Sequence, residues 1–361
     1  MILISLLGVY DSSIFPILFE YKDKVKKHIF IHDDSKYETN RIKKVLEAQE
    51  KFKEFYSLHY DCYSIKIDED SYASINSCFE EIVKLSKGDF KNIYFNATDG
   101  LVSSTIILSD KLLDKGASFI AYDIFDNGYN IVTKNSLEKR KITQNKDIQT
   151  HFILKGHEIL SKGSKIEAHK RKSIIMKICE ELDILQDFAT KIQNKNHEEI
   201  SDFTKLKDLL FKIGKLDDRM FIQGGIFEEY IYWLIEDNFD FDQVMFNVRV
   251  EFDYDVFNEF DVLMIKDNHL HVIECKLRKF VQGEDYVYKL DSVIDYLDDD
   301  GKGMILVIGG DNEKVTNFGN TKKSFSLGAK ARAKSADILI HHSKIFEKEK
   351  FLQDVRNHFL I

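Results

Sequence analysis

Short apolar runs alternate with amphipathic stretches over residues 1–145. The runs are rich in β-branched and aromatic residues, which is typical of buried strands, and they lie at 2–8, 28–32, 62–67, 92–96 and 118–122. Apolar residues at helical spacing predict helices between them, at 37–55, 72–85 and 101–113. This alternation predicts a parallel α/β sheet, with a further strand at 129–133 in an edge hairpin.

The pattern changes from about residue 149 to residue 216, where it becomes helical and charged without strand signals. Apolar side chains at helical spacing predict helices at 173–185 and 206–213. The sequence therefore predicts three parts: a domain of residues 1–145, a helical linker of residues 146–216, and a second domain of residues 217–361.

Strand and helix signals return in the second domain. An amphipathic helix opens just after Gly224-Gly225, and two apolar runs joined at Asp267-Asn268 predict a tight β-hairpin. The remaining predicted strands are 243–252, 304–309 and 337–341, and the remaining predicted helices are 285–297 and 329–334. A mixed α/β fold with this hairpin at its centre follows.

The hairpin places chemical groups opposite one another. If its turn is Asp267-Asn268, Lys266 pairs with His269, and counting outward sets Asp261 opposite Glu274. Since side chains alternate along a strand, Lys276 shares their face. Facing carboxylates repel, unless a divalent cation such as magnesium or manganese binds between them.

The other hairpin positions are apolar on both faces, which predicts a central strand pair with little water nearby. Carboxylates buried there without a partner would be costly, which favours a bound ion. A lysine beside that ion can stabilise charge developing on a phosphate. These features predict a site for phosphodiester cleavage; the alternative is that the acids sit at strand ends in water.

The upstream helix offers a third carboxylate. Glu228 and Glu229 lie near its predicted start, where either could approach the hairpin. In the PD-(D/E)xK nucleases, which the spacing of Asp261, Glu274 and Lys276 resembles, a glutamate of such a helix often packs near the metal site; the matching position is Glu228, with Glu229 second. The alternative is that both simply favour the positive end of the helix dipole.

The loops after the first, second and fourth strands of the first domain form another candidate site. In parallel sheets ligands bind beyond the carboxyl ends of the strands, at the point where the strand order reverses. The loop after the fourth strand runs into a helix, whose free N–H groups are a potential phosphate cradle; an ordinary N-cap by Thr98 or Asp99 is the alternative. The candidate ligand-binding residues are Gly8, Tyr10, Asp11, Ser12, Ser13, Thr98, Asp99, Gly100 and Ser103.

Composition limits the class of protein. With 361 residues, 43% hydrophobic and 31% charged, the chain is that of a globular protein of two or more domains. No apolar run spans a bilayer, and residues 1–8 lack a basic leader and a cleavage site, so they predict a buried strand. The cysteines form no C-x-x-C pair, which indicates a reducing cytoplasm without zinc or disulfides; they are Cys62, Cys78, Cys179 and Cys275.

A net charge of −9 requires any nucleic-acid contact to be local. The best local candidate is an acid-free tract with Lys322, Lys323, Lys330, Arg332 and Lys334, and residues 169–172 form a second basic cluster. Both tracts could equally be solvated faces. The sequence contains no G-x-G-x-x-G motif, so a dinucleotide cofactor is poorly supported.

The spacing of Asp261, Glu274 and Lys276 resembles the PD-(D/E)xK nuclease signature. The whole chain resembles the CRISPR ancillary nucleases. In these, a CRISPR-associated Rossmann fold (CARF) domain is joined by a helical linker to a restriction-endonuclease-like domain. The motifs that carry the resemblance are GGIFEEY (224–230), NEFDV (258–262), IECK (273–276), YKLDS (288–292) and ARAKSADI (331–338).

The resemblance implies roles for individual residues. Glu228, Asp261 and Glu274 would bind Mn²⁺ or Mg²⁺, with Cys275 among the metal-binding positions. Lys276 would assist attack on the phosphate, and Lys289 is a weaker addition. The loop after the fourth strand, residues 96–102, departs from the pattern of the family's CARF domains, because Asp99 replaces a glycine and no lysine follows.

The implied function is a metal-dependent nuclease of type III CRISPR antiviral defence, which cleaves single-stranded RNA or DNA, or both, non-specifically. Its expected activator is a cyclic oligoadenylate, foremost cyclic tetra-adenylate, bound across a cytoplasmic homodimer. Two alternatives stay open: an ungated restriction- or repair-type endonuclease, and a nucleotide-sensing regulator with an idle nuclease fold.

Overall fold

The computed structural model describes residues 1–8, 14–33, 35–98, 100, 102–193, 203–253, 255–278, 282–297, 301–309, 313–315 and 321–360. They form two compact units, residues 1–158 and residues 159–361. Both units are α/β, as predicted. No helix among these residues is long and apolar enough to cross a membrane.

The first unit is a seven-stranded sheet with helices. Its strands are β1 Ile2–Leu6, β2 Lys27–Asp33, β3 Asp61–Ile67, β4 Ile93–Asn96, β5 Ser118–Asp123, β6 Gly128–Thr133 and β7 Ser136–Lys141. Its helices are α1 Phe15–Tyr21, α2 Lys36–Tyr56, α3 Tyr72–Ser86, α4 Val102–Asp114 and α5 Ile148–Leu154. The strand order is β3-β2-β1-β4-β5-β6-β7, parallel from β3 to β5.

The predicted strands and helices of this unit are confirmed to within two residues. Helix α1 and strand β7 were not predicted, because neither has the apolar face and polar face that mark an amphipathic element. Nearly every residue of α1 is buried, so it has no polar face. Every residue of β7 is exposed, so it has no apolar face. Strand β6 forms the predicted hairpin, and β7 is the edge strand.

Strand β1 lies between β2 and β4, so the strand order reverses beside it. The carboxyl ends of β1 and β4 therefore lie side by side at the switch point of the sheet. Gly8 follows β1, and Thr98 and Gly100 follow β4. Chain topology thus brings two of the predicted loops to one edge of the sheet.

The second unit contains a six-stranded sheet of order β15-β12-β11-β10-β9-β8. Its strands are β8 Glu158–Ser161, β9 Gln243–Asp253, β10 Val256–Lys266, β11 His269–Leu277, β12 Gly303–Ile308 and β15 Ile338–Ser343, and a separate pair is β13 Glu313–Val315 and β14 Thr321–Lys323. Its helices are α6 Lys165–Cys179, α7 Leu182–Gln193, α8 Thr204–Lys212, α9 Ile226–Asn238, α10 Gly283–Leu297, α11 Leu327–Ser335 and α12 Lys348–Phe359.

Two expectations for the stretch 149–216 are corrected. It contains a strand, β8, whose four residues are mostly exposed and so carry no apolar signal. The helix predicted at 173–185 is two helices, because α6 ends at Cys179 and α7 begins at Leu182. Apolar residues of α6, α7 and α8 pack in the same core as α9.

The central hairpin is confirmed. Lys266 pairs with His269 and Val262 with Ile273, the register predicted from the turn. Asp267 and Asn268 both have positive φ, 50° and 73°, as a two-residue hairpin turn with matching twist requires. Strands β10 and β11 are the two central strands, and their apolar side chains within 260–265 and 270–277 are buried on both faces.

Candidate active site

The hairpin brings two acids and a lysine together. Lys276 Nζ lies 3.1 Å from Asp261 Oδ2 and 2.7 Å from Glu274 Oε1. Asp261 Oδ2 also accepts the backbone N–H of Cys275, at 2.7 Å. The Asp261 and Glu274 side chains are only 15% and 9% exposed, so water solvates them poorly. The lysine ammonium thus lies where two buried negative charges converge.

The third carboxylate comes from the helix before the hairpin, which begins earlier than predicted. Asp218 accepts the backbone N–H of Phe221 at 3.0 Å and so caps the helical stretch. A π-helical turn, Phe221–Gly225, then leads directly into α9. Such turns recur at functional sites. Glu228 therefore lies more than two turns inside the helix. At that distance from the helix start, the dipole has little effect on its carboxylate.

Glycine at position 224 makes room for the carboxylate of Glu228. A Cβ atom at Gly224 would lie 2.8 Å from Glu228 Oε1, closer than such contacts normally come. Glu228 faces the hairpin acids, since the charges of Asp261, Glu274 and the exposed Glu259 all raise its pKa.

Burial and mutual repulsion perturb the three acids. Burial, and then the charge of Asp261, raise the pKa of Glu228 to about 8. Burial, and then the charge of Glu274, raise the pKa of Asp261 to about 6. Burial disfavours the charged form of Lys276, but Asp261 and Glu274 outweigh it and raise the lysine pKa. The cluster contains three carboxyl groups and one ammonium group. When all three carboxyl groups are ionised, its net charge is therefore negative.

Hard oxygen donors in a buried, electron-rich cluster are the ligand type that magnesium and manganese prefer. Among the described residues, no three His, Cys, Asp or Glu side chains already converge as a ready-made metal site. Lys276 instead neutralises part of the charge of Asp261 and Glu274. The carboxylates of Glu228, Asp261 and Glu274 are nevertheless donors of the kind that a divalent ion prefers, and such an ion would supply the missing positive charge.

Cys275 contributes to this region through its backbone. Its thiol packs in the apolar core, and burial raises the thiol pKa well above its usual range. Its carbonyl oxygen accepts a hydrogen bond from Lys276 Nζ at 3.0 Å. Any metal contact from this position would therefore involve the carbonyl oxygen, because a protonated thiol is a poor ligand.

Glu229 lies in different surroundings from Glu228. Arg171, from α6, binds its carboxylate with Nε–Oε1 and Nε–Oε2 distances of 3.0 and 2.9 Å. Glu229 is fully buried, and the guanidinium of Arg171 also lies 5.2 Å from the Phe221 ring centroid. Sequence reasoning missed this anchor, since nothing local joins residues 58 positions apart.

Other residues around the site take roles that the sequence did not specify. Tyr286, on α10, lies 5.4 Å from Lys276 Nζ and was not singled out. Lys289 is exposed on the same helix. Arg332 pairs with Asp291 and lies 4.6 Å from the Tyr288 ring, so it joins α11 to α10.

In the first unit, the structure describes four of the candidate ligand-binding residues. Gly8 is buried and its carbonyl accepts a hydrogen bond from Arg41, a cation that sequence reasoning missed. The Thr98 hydroxyl donates to Asn96 Oδ1 at 2.6 Å and accepts from the N–H of Tyr122 at 2.8 Å, so it ties β4 to β5.

Ser103 is exposed in the first turn of α4. Gly100 has φ +117°, and a Cβ there would lie 2.6 Å from Leu6 Cβ, so glycine is needed for this loop to approach β1. The remaining candidates lie outside the described residues; they are Tyr10, Asp11, Ser12, Ser13 and Asp99.

The second unit has a lysine among buried acids on a central hairpin, and the first unit has a switch point of the kind at which parallel α/β sheets bind ligands. Residues 215–317 match the family model of the Card1-like endonuclease domain. The matched residues include α9 and the central hairpin. The sequence has no significant match among curated proteins.

Solved structures extend the likeness to the whole chain. Can2 from Sulfobacillus thermosulfidooxidans, solved with cyclic tetra-adenylate, is 19% identical with a TM-score of 0.70, over 99% of this chain and 98% of Can2. Protein VC1899 from Vibrio cholerae is 15% identical with a TM-score of 0.73, over 99% and 96% of the two chains.

A third structure, a type III CRISPR defence DNA nuclease activated by cyclic oligoadenylate, is 8% identical with a TM-score of 0.54. The match covers 85% of this chain but only 45% of that nuclease. The predicted fold class and the predicted resemblance to CRISPR ancillary nucleases are confirmed by these likenesses and by the endonuclease domain.

Proposed function

We propose that this protein is a metal-dependent nuclease of type III CRISPR defence that a cyclic oligoadenylate activates. The observation that carries the proposal is the buried cluster of Glu228, Asp261, Glu274 and Lys276 within the Card1-like endonuclease domain. Three carboxylates around one lysine raise the electrostatic energy of the metal-free protein. Such a cost is expected where the charges serve a reaction.

Each residue of the cluster has a role in the proposed PD-(D/E)xK-type reaction. Glu228, Asp261 and Glu274 hold the divalent ion, which when bound activates water and stabilises charge on the scissile phosphate. Lys276 is better suited to electrostatic stabilisation than to accepting a proton, because its raised pKa keeps it charged at neutral pH. The Cys275 N–H holds the Asp261 carboxylate in place at 2.7 Å.

The proposed activator site is the switch point of the first unit. A cyclic oligoadenylate carries a ring of phosphates, which suits the N-terminus of α4 and the Arg41 guanidinium beside Gly8. Can2, which shares this fold, was solved with cyclic tetra-adenylate. A homodimer would let both copies contact one symmetric ring, and binding would act by favouring one of two states of the nuclease.

The central test is a cleavage assay on labelled single-stranded RNA and DNA, with manganese or magnesium and each cyclic oligoadenylate in turn. We expect cleavage only when metal and activator are both present. EDTA should stop the reaction, and calcium should restore substrate binding with little turnover, since calcium binds oxygen ligands with looser geometry.

Other outcomes would favour the alternatives. Full activity in EDTA would contradict the role of the carboxylates. Full activity without activator would favour an ungated restriction- or repair-type endonuclease. Binding of a cyclic oligoadenylate with no cleavage under any condition would favour a nucleotide-sensing regulator.

The activator site is tested best at Ser103, because a larger side chain at Gly100 would collide with Leu6 and strain the backbone. Ser103→Glu should weaken activator binding through charge repulsion, with cleavage recovered at higher activator concentration. Ser77→Glu, at an exposed serine of α3, is the matched control. Calorimetric titration that gave the same affinity for both variants and the wild type would place the ligand elsewhere.

A further inference from the structure

A cavity of about 680 Å³ lies at the outer edge of the endonuclease sheet. Strand β15 ends the sheet, and among the described strands it pairs only with β12. The main-chain segment Ile338–Ile340 lines the cavity along this edge. Backbone N–H groups at such an edge can donate hydrogen bonds to an incoming ligand.

The cavity carries positive charge from α11. Lys330 and Lys334 lie one helical turn apart and both line it. Both side chains are exposed, and neither has an ion-pair partner among the residues that the structure describes. The one acid in the lining, Asp337, lies 4.0 Å from the ammonium of Lys302, which offsets its charge. The cavity therefore suits an anion.

The register of the sheet connects this cavity to the catalytic cluster. Lys276 on β11 is paired with Val307 on β12, and Val307 is paired with His342 on β15. Registered residues of parallel strands point to the same face, and neighbouring strands lie about 4.8 Å apart. His342 lines the cavity, so one side of the cavity lies on the face of Lys276, two strands or about 10 Å away, while Leu339 and His358 line its other side.

Two contacts connect the cavity with the helix beside the catalytic cluster. Phe325 packs on the His342 ring with a centroid distance of 5.6 Å and also lines the cavity. The neighbouring Ser324 carbonyl accepts the N–H of Gly283, at the start of α10, the helix that carries Tyr286 beside Lys276. Strand β12 itself is buried, so a polynucleotide bound at both places would run over the exposed side of α10 and α11 to reach Lys330 and Lys334.

We infer that this cavity binds the phosphodiester backbone of the single-stranded nucleic acid that the catalytic cluster cuts, with Lys330 and Lys334 contacting its phosphates. The inference rests on the proposed nuclease function. It accounts for a chain of net charge −9 that handles a polyanion, because the required positive charge is concentrated beside the site. Arg332, in the same basic tract, has a different role, since Asp291 holds it.

The test is the affinity of labelled single-stranded RNA and DNA for the full chain, measured by fluorescence anisotropy in calcium and cyclic tetra-adenylate over a series of salt concentrations. The variant is Lys330→Gln/Lys334→Gln. Its matched control is Lys348→Gln/Lys350→Gln, which removes the same charge from exposed positions on α12. Melting curves establish that both variants fold.

We expect about tenfold weaker binding for Lys330→Gln/Lys334→Gln and no change for the control. The slope of log affinity against log salt should fall in magnitude by about 1.4, or about 0.7 for each lost phosphate contact on a single strand. An equal loss with RNA and DNA would assign the contacts to the phosphates; a loss with one only would assign that polymer as the ligand of the cavity.

Two outcomes would overturn the inference alone. These are wild-type affinity and salt slope in Lys330→Gln/Lys334→Gln, and an equal loss in the control variant, which would reflect net charge. In both, the wild type still cleaves, so the proposed nuclease function stands. A wild type that neither binds nor cleaves any single strand would overturn both proposals together.

Discussion

Glu228 and Glu229 are adjacent on one helix, yet the charges around them differ. The charge of Glu229 is balanced by a cation, whereas the surroundings of Glu228 contain more acids than bases. Glu229 faces one arginine, and Arg171 binds both of its carboxylate oxygens. Glu228 faces Asp261 and Glu274, with Lys276 as the one base of that cluster. Burial raises the pKa of both glutamates, but Arg171 opposes the effect at Glu229, whereas neighbouring acids add to it at Glu228.

The difference separates a structural charge from a charge that we propose to be catalytic. A one-to-one buried pair fixes the position of a helix, because removing either partner leaves an uncompensated charge. A cluster with excess acid is costly in the free protein and becomes favourable when a cation binds. Arg171 thus holds α9 to α6, and α9 in turn holds Glu228 against the hairpin.

The largest effect is expected from Lys276→Ala or Glu274→Ala. Each removes a group from the reacting centre, so cleavage should fall by about 10²–10³-fold or more. Activator affinity should be unchanged, because the proposed activator site belongs to the other unit. Cleavage rates and calorimetry check this, with exposed Lys289→Ala as the control. Wild-type cleavage by either variant would refute the proposed active site.

Arg171→Ala should have the next largest effect, on stability. It leaves the Glu229 carboxylate buried and unpaired, so the free energy of unfolding should fall by about 3–5 kcal/mol. Lys165→Ala removes an exposed ion pair of the same two helices, with Glu236, and should cost less than about 1 kcal/mol. Denaturant unfolding measures both, and equal losses would argue against a special role for Arg171.

Glu228→Gln should change the pH dependence of the metal-free protein. Between the ordinary glutamate pKa of 4.5 and the raised value of about 8, the folded state binds more protons than the unfolded state. Its stability should therefore fall as pH rises through that range. Glu228→Gln removes this titration and should be the more stable form at pH near 8.

Melting temperatures from pH 5 to pH 9 in EDTA measure this difference, with exposed Glu349→Gln on α12 as the control. Metal should reverse the wild-type trend, because an ion binds the deprotonated carboxylates. Superimposable pH profiles for wild type and Glu228→Gln would mean that Glu228 titrates normally.

The smallest effect is expected from Gly224→Ala. The added Cβ would lie 2.8 Å from Glu228 Oε1 and would push the carboxylate out of its position. Cleavage should therefore fall by about tenfold, and a higher metal concentration should be required. Gly328→Ala, whose Cβ meets only Ser326 Oγ at 3.7 Å, is the control. A Gly224→Ala variant with unaltered metal titration would mean that Glu228 has room to move.

The hairpin and its chemistry could be predicted from the sequence because the determinants are local. Asp267 and Asn268 tolerate positive φ, so they fix the turn, and a period of two then fixes which side chains share a face. That reasoning is enough to set Asp261 beside Glu274 and Lys276. Likewise, the amphipathic helices and buried strands of the first unit followed from spacing alone.

The resemblance ranks Glu228 before Glu229, but only the tertiary structure shows that their carboxylates have different surroundings. This difference depends on how α9 is rotated about its axis, and that rotation is set by packing, by the π-helical turn and by Arg171, which lies 58 residues away. The reversal of strand order beside β1 and the placing of Lys330 and Lys334 on the face of Lys276 also depend on contacts between distant segments. Local periodicity determines elements and registers, whereas the partner of a buried charge is decided by which distant surface packs against it.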